Sequence, residues 1–272
     1  SARGGSIYLA AQQDVILDYD AAAQQGANLI ATASVGEHAG KIEIASADGN
    51  LNMKSGSKID MTGNARLGQL WLRLQDAKIA SSHFDSTVTG AELKDANGNV
   101  VASNKFIEAV KVHDFSQAGV RRITSSDIAM IQAATKAPAP VAGYRVVPGV
   151  EIRNKLGSLE LAADWNFSKD AAGIHKWRYN GEAGALTLRA RDDVVIAKSL
   201  TDGFKLTQTG VANKITVPVA QWIFDDPTPN SWSYRIVAGS DFDRAAPLAV
   251  NQSKTGNVVI TPYQAFVKDA QG

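Results

Sequence analysis

The chain has 272 residues, 44% hydrophobic and 20% charged, with a formal net charge of +1 and no cysteine. That is apolar enough to bury a core, which excludes wholesale disorder. The near-neutral charge offers no field for nucleic acid, and the missing thiols exclude a disulfide scaffold or a thiolate metal site. No run of about 18 apolar residues is present, so no helical membrane insertion is expected. No signal peptide precedes the strand pattern that begins at Ile7, and both ends read as cut from something longer.

Residues 1–82 are built on one recurring phrase: a glycine, an apolar-x-apolar pair, small or polar turn residues, then a second apolar-x-apolar pair. The first copy is Gly5-Ser6-Ile7-Tyr8-Leu9 with Asp14-Val15-Ile16-Leu17. The second is Gly40-Lys41-Ile42-Glu43-Ile44, with Gly49-Asn50-Leu51-Asn52-Met53 and Lys58-Ile59-Asp60-Met61 behind it. Gly68-Gln69-Leu70-Trp71-Leu72 is the third. Apolar residues two apart share one face of a strand, and Gly, Asn, Asp and Ser between the pairs are turn formers. Strands this short close no core alone, but they do if the chain coils and each strand pairs with its copy one turn later, at a period of roughly 20 residues. A β-sandwich also uses short alternating strands, but it has no need to repeat its sequence.

Residues 83–148 depart from the phrase. Ala91 to Ala102 reads as a β-hairpin around Asn97-Gly98. Ser126 to Thr135 reads either as a short helix capped by Ser126, with Ile128 and Ile131 on one face, or as a strand. Lys136-Ala137-Pro138-Ala139-Pro140 is a stiff connector. The stretch is either an insertion projecting from the solenoid or a break between two solenoid blocks.

The phrase returns over 149–272, at Gly157-Ser158-Leu159-Glu160-Leu161, at Gly184-Ala185-Leu186-Thr187-Leu188 with Asp193-Val194-Val195-Ile196, and more weakly at Gly256-Asn257-Val258-Val259-Ile260. Loop excursions interrupt it at 165–180 and at 203–230, where Pro218, Pro227 and Pro229 argue against a central strand.

Several of these segments also carry a family likeness. Val147-Pro148-Gly149-Val150-Glu151-Ile152-Arg153, Leu159 to Asn166, Trp177-Arg178-Tyr179, Gly184 to Ala190, Ser199 to Phe204 and Ser231 to Gly239 resemble stretches of filamentous haemagglutinin-like large exoproteins. The likeness covers about residues 141–260 best; residues 1–80 match as generic haemagglutinin-type repeats. It implies an all-β, right-handed parallel β-helix with extra-helical insertions. It also implies two-partner secretion through an outer-membrane transporter, residence at the bacterial cell surface, and adhesion or display through a receptor or glycan of a host or neighbouring cell. The family supplies no catalytic residue and no cofactor.

Other constellations weigh little. Asp192-Asp193, Asp225-Asp226 and the Asp18/Asp20 pair could serve a polysaccharide lyase or glycosidase on the same fold, since glycosidic cleavage needs two carboxyl groups. No Gly-His or Arg-x-Lys accompanies them, and turn or loop chemistry explains them better. His38, His83, His113 and His175 are scattered without metal-ligand spacing. Ala47-Asp48-Gly49-Asn50 and Asp95-Ala96-Asn97-Gly98-Asn99 lack the downstream glutamate of a calcium loop. Trp165, Phe167, Trp177, Tyr179 and Trp222 could stack on sugar rings in a non-catalytic glycan-binding module, or could glue loops onto the solenoid; packing is the favoured reading.

Overall fold

The computed structural model describes residues 5–33, 39–63, 66–170, 174–202, 204–207, 221–224 and 231–261. Strands make up 48% of it and helix 7%, so the protein is mostly β. The largest sheet has seven strands, Ser6–Ala11, Lys41–Ser46, Gln69–Gln75, Lys105–Asp114, Arg145–Asn154, Ala185–Ala190 and Ser233–Val237, whose spatial order is also their chain order. Every pairing in it is parallel, and the sheet is curled as a half-barrel.

Parallel neighbours need crossovers, and here the crossovers carry further parallel stacks. Val15–Leu17, Leu51–Met53 and His83–Phe84 form one; Asn28–Ile30, Lys58–Asp60 and Thr87–Thr89 form another. Gly119–Ile123, Gly157–Leu161, Val194–Ile196 and Val258–Ile260 form a third. These intervening strands make each lap longer than the sequence period suggests: Ser6 pairs with Lys41, and Lys41 in turn with Gln69. They also divide the repeated phrase, because the copies at Gly157 and Gly256 stack in the third of these sheets rather than in the seven-stranded one.

Alternation decides what each strand buries. Ile42 and Ile44 are fully buried between exposed Lys41 and partly exposed Glu43, and register places them beside Ile7 and Leu9 on one side and Leu70 and Leu72 on the other. Full burial of each such side chain contributes about 1.5–3 kcal/mol. The apolar residues fall into two clusters. One runs from Ile7 to Val146; the other gathers Ile123, Val150, Ile152, Leu159, Leu161, Leu186, Leu188 and Val194. The division lies at the two longest strands, Lys105–Asp114 and Arg145–Asn154. Lys105–Val110 pairs with 70–75, 106–114 pairs with 145–153, and 149–154 pairs with 185–190, so the sheet steps sideways as it passes from one core to the other.

The stretch 83–148 therefore does not leave the fold as one insertion, because Lys105–Asp114 lies in the middle of the main sheet. Glu92–Lys94 and Val100–Ser103 pair antiparallel around Asn97-Gly98. Ser125–Ala134 is a helix, and its cap is Thr124 rather than Ser126: the Thr124 side chain accepts from the Asp127 amide while the Asp127 carboxylate accepts from the Thr124 amide. Ile131 is buried in the second core and Ile128 packs against it. Of the 165–180 excursion, Trp165–Asn166 pairs in parallel with Leu200–Thr201. In the 203–230 excursion, Phe204–Thr207 pairs antiparallel with Gln221–Phe224; Pro218, Pro227 and Pro229 lie outside the described residues.

The leading glycines have a steric reason. A Cβ on Gly184 would stand 2.0 Å from the Pro148 carbonyl oxygen, and one on Gly157 would stand 2.0 Å from that of Gly119, each a backbone atom of the lap before. Gly5, which leads the same phrase at the sheet edge, has nothing within 4 Å of its Cβ position. Gly184→Ala is expected to lower stability by about 1–3 kcal/mol, the usual result of overpacking, while Gly5→Ala leaves it unchanged. Urea midpoints of the two variants check this.

Candidate functional site

The alternation that sends aliphatic residues inward sends charged ones to the opposite face of the seven-stranded sheet. Arg73 sits between Leu72 and Leu74, Glu108 between Ile107 and Ala109, Glu151 between Val150 and Ile152, and Arg189 between Leu188 and Ala190. These four are nonetheless buried, as is Arg153. They bury one another across neighbouring strands.

Glu108 accepts from Trp71 Nε1 at 2.8 Å, from Arg73 Nε at 3.2 Å, and from both Arg235 Nη atoms at 2.8 and 2.9 Å. Glu151 accepts from Arg73 Nη2, from Arg153 Nε, and from Arg189 Nη1 at 3.2 Å. Arg73 thus joins the two carboxylates. Arg189 also donates to Ser240 Oγ at 2.9 Å and to the Asp241 carbonyl at 3.0 Å, under the Phe242 ring at 4.6 Å. Gly149 leaves room here, since a Cβ would come within 3.0 Å of Glu108 Cγ.

Arg235 and Glu108 lie three strands apart, about 14 Å along a flat sheet. Tyr8 on the first strand feels the charges of Arg189 and Arg235 on the sixth and seventh. Both observations place this face on the inside of the curl, so the row of charges lines a furrow. Burial works against ionisation of both carboxyls, but the arginines outweigh it. They hold Glu108 below its ordinary range, and Arg73, Arg153 and Arg189 bring Glu151 down to about 2.

The furrow rim is aromatic. Register aligns Tyr8, Glu43, Trp71, Phe106 and Arg145 in one row across the strands. Trp71 and Phe106 have ring centroids 5.1 Å apart, and the Arg145 guanidinium lies 4.7 Å from the Phe106 centroid. Arg145 meets Glu182 through two bonds of 2.7 Å.

The aromatic residues read from sequence as possible sugar platforms fare differently. Trp165, Phe167 and Trp177 are buried in the second core with Trp232, with ring centroids 5.3 Å (Trp165–Phe167), 5.1 Å (Phe167–Trp177) and 4.2 Å (Phe167–Trp232) apart. Their faces are spent on one another, so they offer none to a sugar. Tyr179 is half-buried and its hydroxyl donates to the Thr135 carbonyl. Trp222 falls in the Gln221–Phe224 strand, and its side chain lies outside the described residues.

The acidic pairs serve turns. Asp192 takes two bonds of 3.0 Å from Arg191, and Asp193 accepts from the Asn257 amide at 2.8 Å, which pins one lap to the next. Asp18 meets Lys54 at 2.8 Å, and Asp20 accepts from the Ala22 and Ala23 amides. Asp95 accepts from the Asn97 and Asn99 amides, and Asp48 from Gln75. Asp225, Asp226 and His38 lie outside the described residues. His113 stacks on Phe115, and burial, followed by Lys111, lowers its pKa. No group of three His, Asp or Glu side chains gathers at metal-binding distance among the described residues.

The ion lattice escapes a reading of the sequence because a charge inside an alternating run reads as a solvent-facing residue. A signal exists: outward positions of successive strands carry opposite charges, as in Leu72-Arg73-Leu74 against Ile107-Glu108-Ala109.

With Glu151 depressed in the folded protein, the unfolded chain takes up the proton first. The resulting stability is fully present above the ordinary value of 4.5 and is lost as pH falls toward about 2. A shift of that size amounts to roughly 3 kcal/mol. Glu151→Gln is expected to destabilise the protein by about 3–5 kcal/mol at pH 7, because it strands buried guanidinium groups, and to flatten the pH dependence of the urea midpoint between pH 4.5 and 2. An acid limb as steep as the parent's would refute the assignment.

No family model matches the chain, and neither the curated proteins nor the solved structures contain a match to it.

Proposed function

We propose that the chain is a shaft segment of a right-handed parallel β-helix belonging to a secreted bacterial surface exoprotein, and that it serves adhesion or display. The observation that carries the reading is the main sheet: seven parallel strands in chain order, each lap passing through shorter parallel stacks before it returns. Parallel crossovers within one sheet are right-handed in about 98% of cases, which supports the hand. The resemblance to haemagglutinin-type exoproteins over residues 141–260 supports the setting. In that setting the partners are an outer-membrane two-partner secretion transporter and a receptor or glycan on a host or neighbouring cell.

A stack of this kind is a spacer by construction. Each lap adds about 4.8 Å along the axis, and every backbone group in the ladder finds its partner in the neighbouring lap. The state of the two buried carboxylates supports a non-catalytic role. Glycosidic cleavage needs one carboxyl protonated, its pKa raised, whereas Glu108 and Glu151 are both held ionised by arginines.

Antibodies against this chain are expected to label intact, unpermeabilised cells. Deleting the partner transporter gene should abolish that label, and deleting the segment should reduce attachment to cells or surfaces. Antigen found only inside the cell would overturn the secretion reading, and a crystal structure with left-handed crossovers would overturn the hand.

A further inference from the structure

The stack of Val15–Leu17, Leu51–Met53 and His83–Phe84 packs Leu17, Met53 and Phe84 into the first core. The same register sets its opposite side. Ile16, Asn52 and His83 stand there in one row. Asp18, Lys54 and Asp85 stand in the next. The Lys54 amide donates to the Leu17 carbonyl and the Asp85 amide to that of Met53, which carries the pairing one residue past each strand. Three successive laps thus place six side chains on one outward patch.

Most polar groups of this patch are unspent. Lys54 meets Asp18 at 2.8 Å. Asn52 Oδ1 lies 3.3 Å from His83 Nδ1, which leaves the Asn52 amide nitrogen and His83 Nε2 without a hydrogen-bond partner among the described residues. The Asp85 carboxylate and the nearby Ser55 hydroxyl have no hydrogen-bond or ion-pair partner there either. Ile16, in their midst, is 54% exposed. Tyr19, on the short antiparallel pair Tyr19–Asp20 and Gln25–Gly26, adds an aromatic side. A Cβ on Gly56 would stand 2.5–2.9 Å from three carbons of its ring, so glycine backbone supports one ring face. These groups line an open concavity of about 570 Å³, within the range of about 300–1,000 Å³ that small ligands fill.

The donors and acceptors select the ligand. With Lys54 held by Asp18, the unpaired carboxylate of Asp85 repels an anion. A simple cation would use Asp85 and leave the Asn52 amide and the Ser55 hydroxyl idle. An apolar molecule would cover all three without satisfying any. Sugar hydroxyls donate to a carboxylate and accept from an amide or hydroxyl, and the C–H face of a pyranose suits a tyrosine ring and an aliphatic side chain. The three laps span about 10 Å along the axis, so one sugar meets Tyr19 and Ile16 and the next reaches Asn52 and Asp85.

We propose that this concavity binds a neutral oligosaccharide, stacked on Tyr19 and Ile16 and hydrogen-bonded to Asp85, Asn52 and Ser55. The assignment deepens the adhesion reading and rests on it for its role at a cell surface. The isolated chain tests the site alone, so absent binding would remove the site and leave surface labelling and its dependence on the transporter untouched.

Calorimetric titration of the 272-residue chain with neutral β-1,4-linked hexamers of glucose, mannose and galactose tests it, with a galacturonic acid hexamer as the charged counterpart. At least one neutral hexamer is expected to bind saturably, with Kd of about 1 mM or tighter, little changed as salt rises. Asp85→Ala, at an exposed side chain without a bond to lose, should weaken it about five-fold or more, and Tyr19→Ala about ten-fold. Urea unfolding establishes that each variant is folded before it is titrated. Absence of saturable binding of all three neutral hexamers overturns the proposal. So does tighter binding of the galacturonic acid hexamer, or parent-like affinity in folded Asp85→Ala.

Discussion

A parallel strand pair in register sets residue over residue, so whatever occupies a position must tolerate its counterpart one strand spacing away. That constraint shapes both faces of the seven-stranded sheet. On the core face, aliphatic side chains tolerate one another: Ile42 lies against Leu70, and Leu72 against Ile107, without polar atoms to satisfy. On the furrow face, like charges at that distance repel, and the strands answer by alternating sign. Arg73 lies beside Glu108, and Glu151 is followed by Thr187 and then Arg235. Arg153 beside Arg189 is the exception, and it is resolved because both donate to Glu151.

The ion lattice is not the main source of stability. Bringing charges out of water offsets much of their mutual attraction, and apolar replacements often do as well. What ions supply better than leucines is discrimination among registers. A slip of one residue turns every side chain to the other face, and here it would drive arginines and glutamates into the core. The need is greatest at the sideways step, where Lys105–Asp114 and Arg145–Asn154 hand the sheet from one core to the other and share only part of their length with each neighbour. Glu108 and Glu151 sit on those two strands, and their partners reach back to Gln69–Gln75 and forward to Ser233–Val237. The lattice staples the seam.

Much of this fold is legible in the sequence, and for physical reasons. Apolar pairs two apart behind a glycine mark strands, and each quoted copy of the phrase is one. The break over 83–148 is real in the sense that the columns change there, yet the middle of that stretch is unreadable. Lys105-Phe106-Ile107-Glu108-Ala109 has no leading glycine, and its outward positions hold an aromatic and an acid that match Trp71 and Arg73 on the preceding strand of the sheet. The aromatic cluster is half legible. Trp165, Phe167 and Trp177 stand out as a group, and packing is their favoured role. Whether the rings face a sugar or each other depends on Trp232, which is remote from Trp177 in the chain and enters from just before the seventh strand. The ion lattice is illegible because its members come from laps of unequal length, and no fixed period links them.

Unequal laps are what a repeated core permits. Once the inward columns are filled, the chain between returns is free to lengthen, from the short lap that carries Lys41 to Gln69 to the far longer one that carries Ala185 to Ser233. Stretches without regular strands must still bury their apolar surface, and here they do so with aromatic side chains. Trp165, Phe167, Trp177 and Trp232 form a plug where two-residue strands offer no continuous ladder. Large rings fill irregular space in a few contacts, whereas aliphatic columns need regular strands to stack. Where the lap is short and its strands regular, around Leu51, Met53, Ile59 and Met61, the buried residues are aliphatic or methionine and no tryptophan is among them. The choice between ladder and plug therefore follows the regularity of the strands, and it leaves the rings on the furrow side of the sheet, Tyr8 and Trp71, as aromatic side chains that the core does not claim.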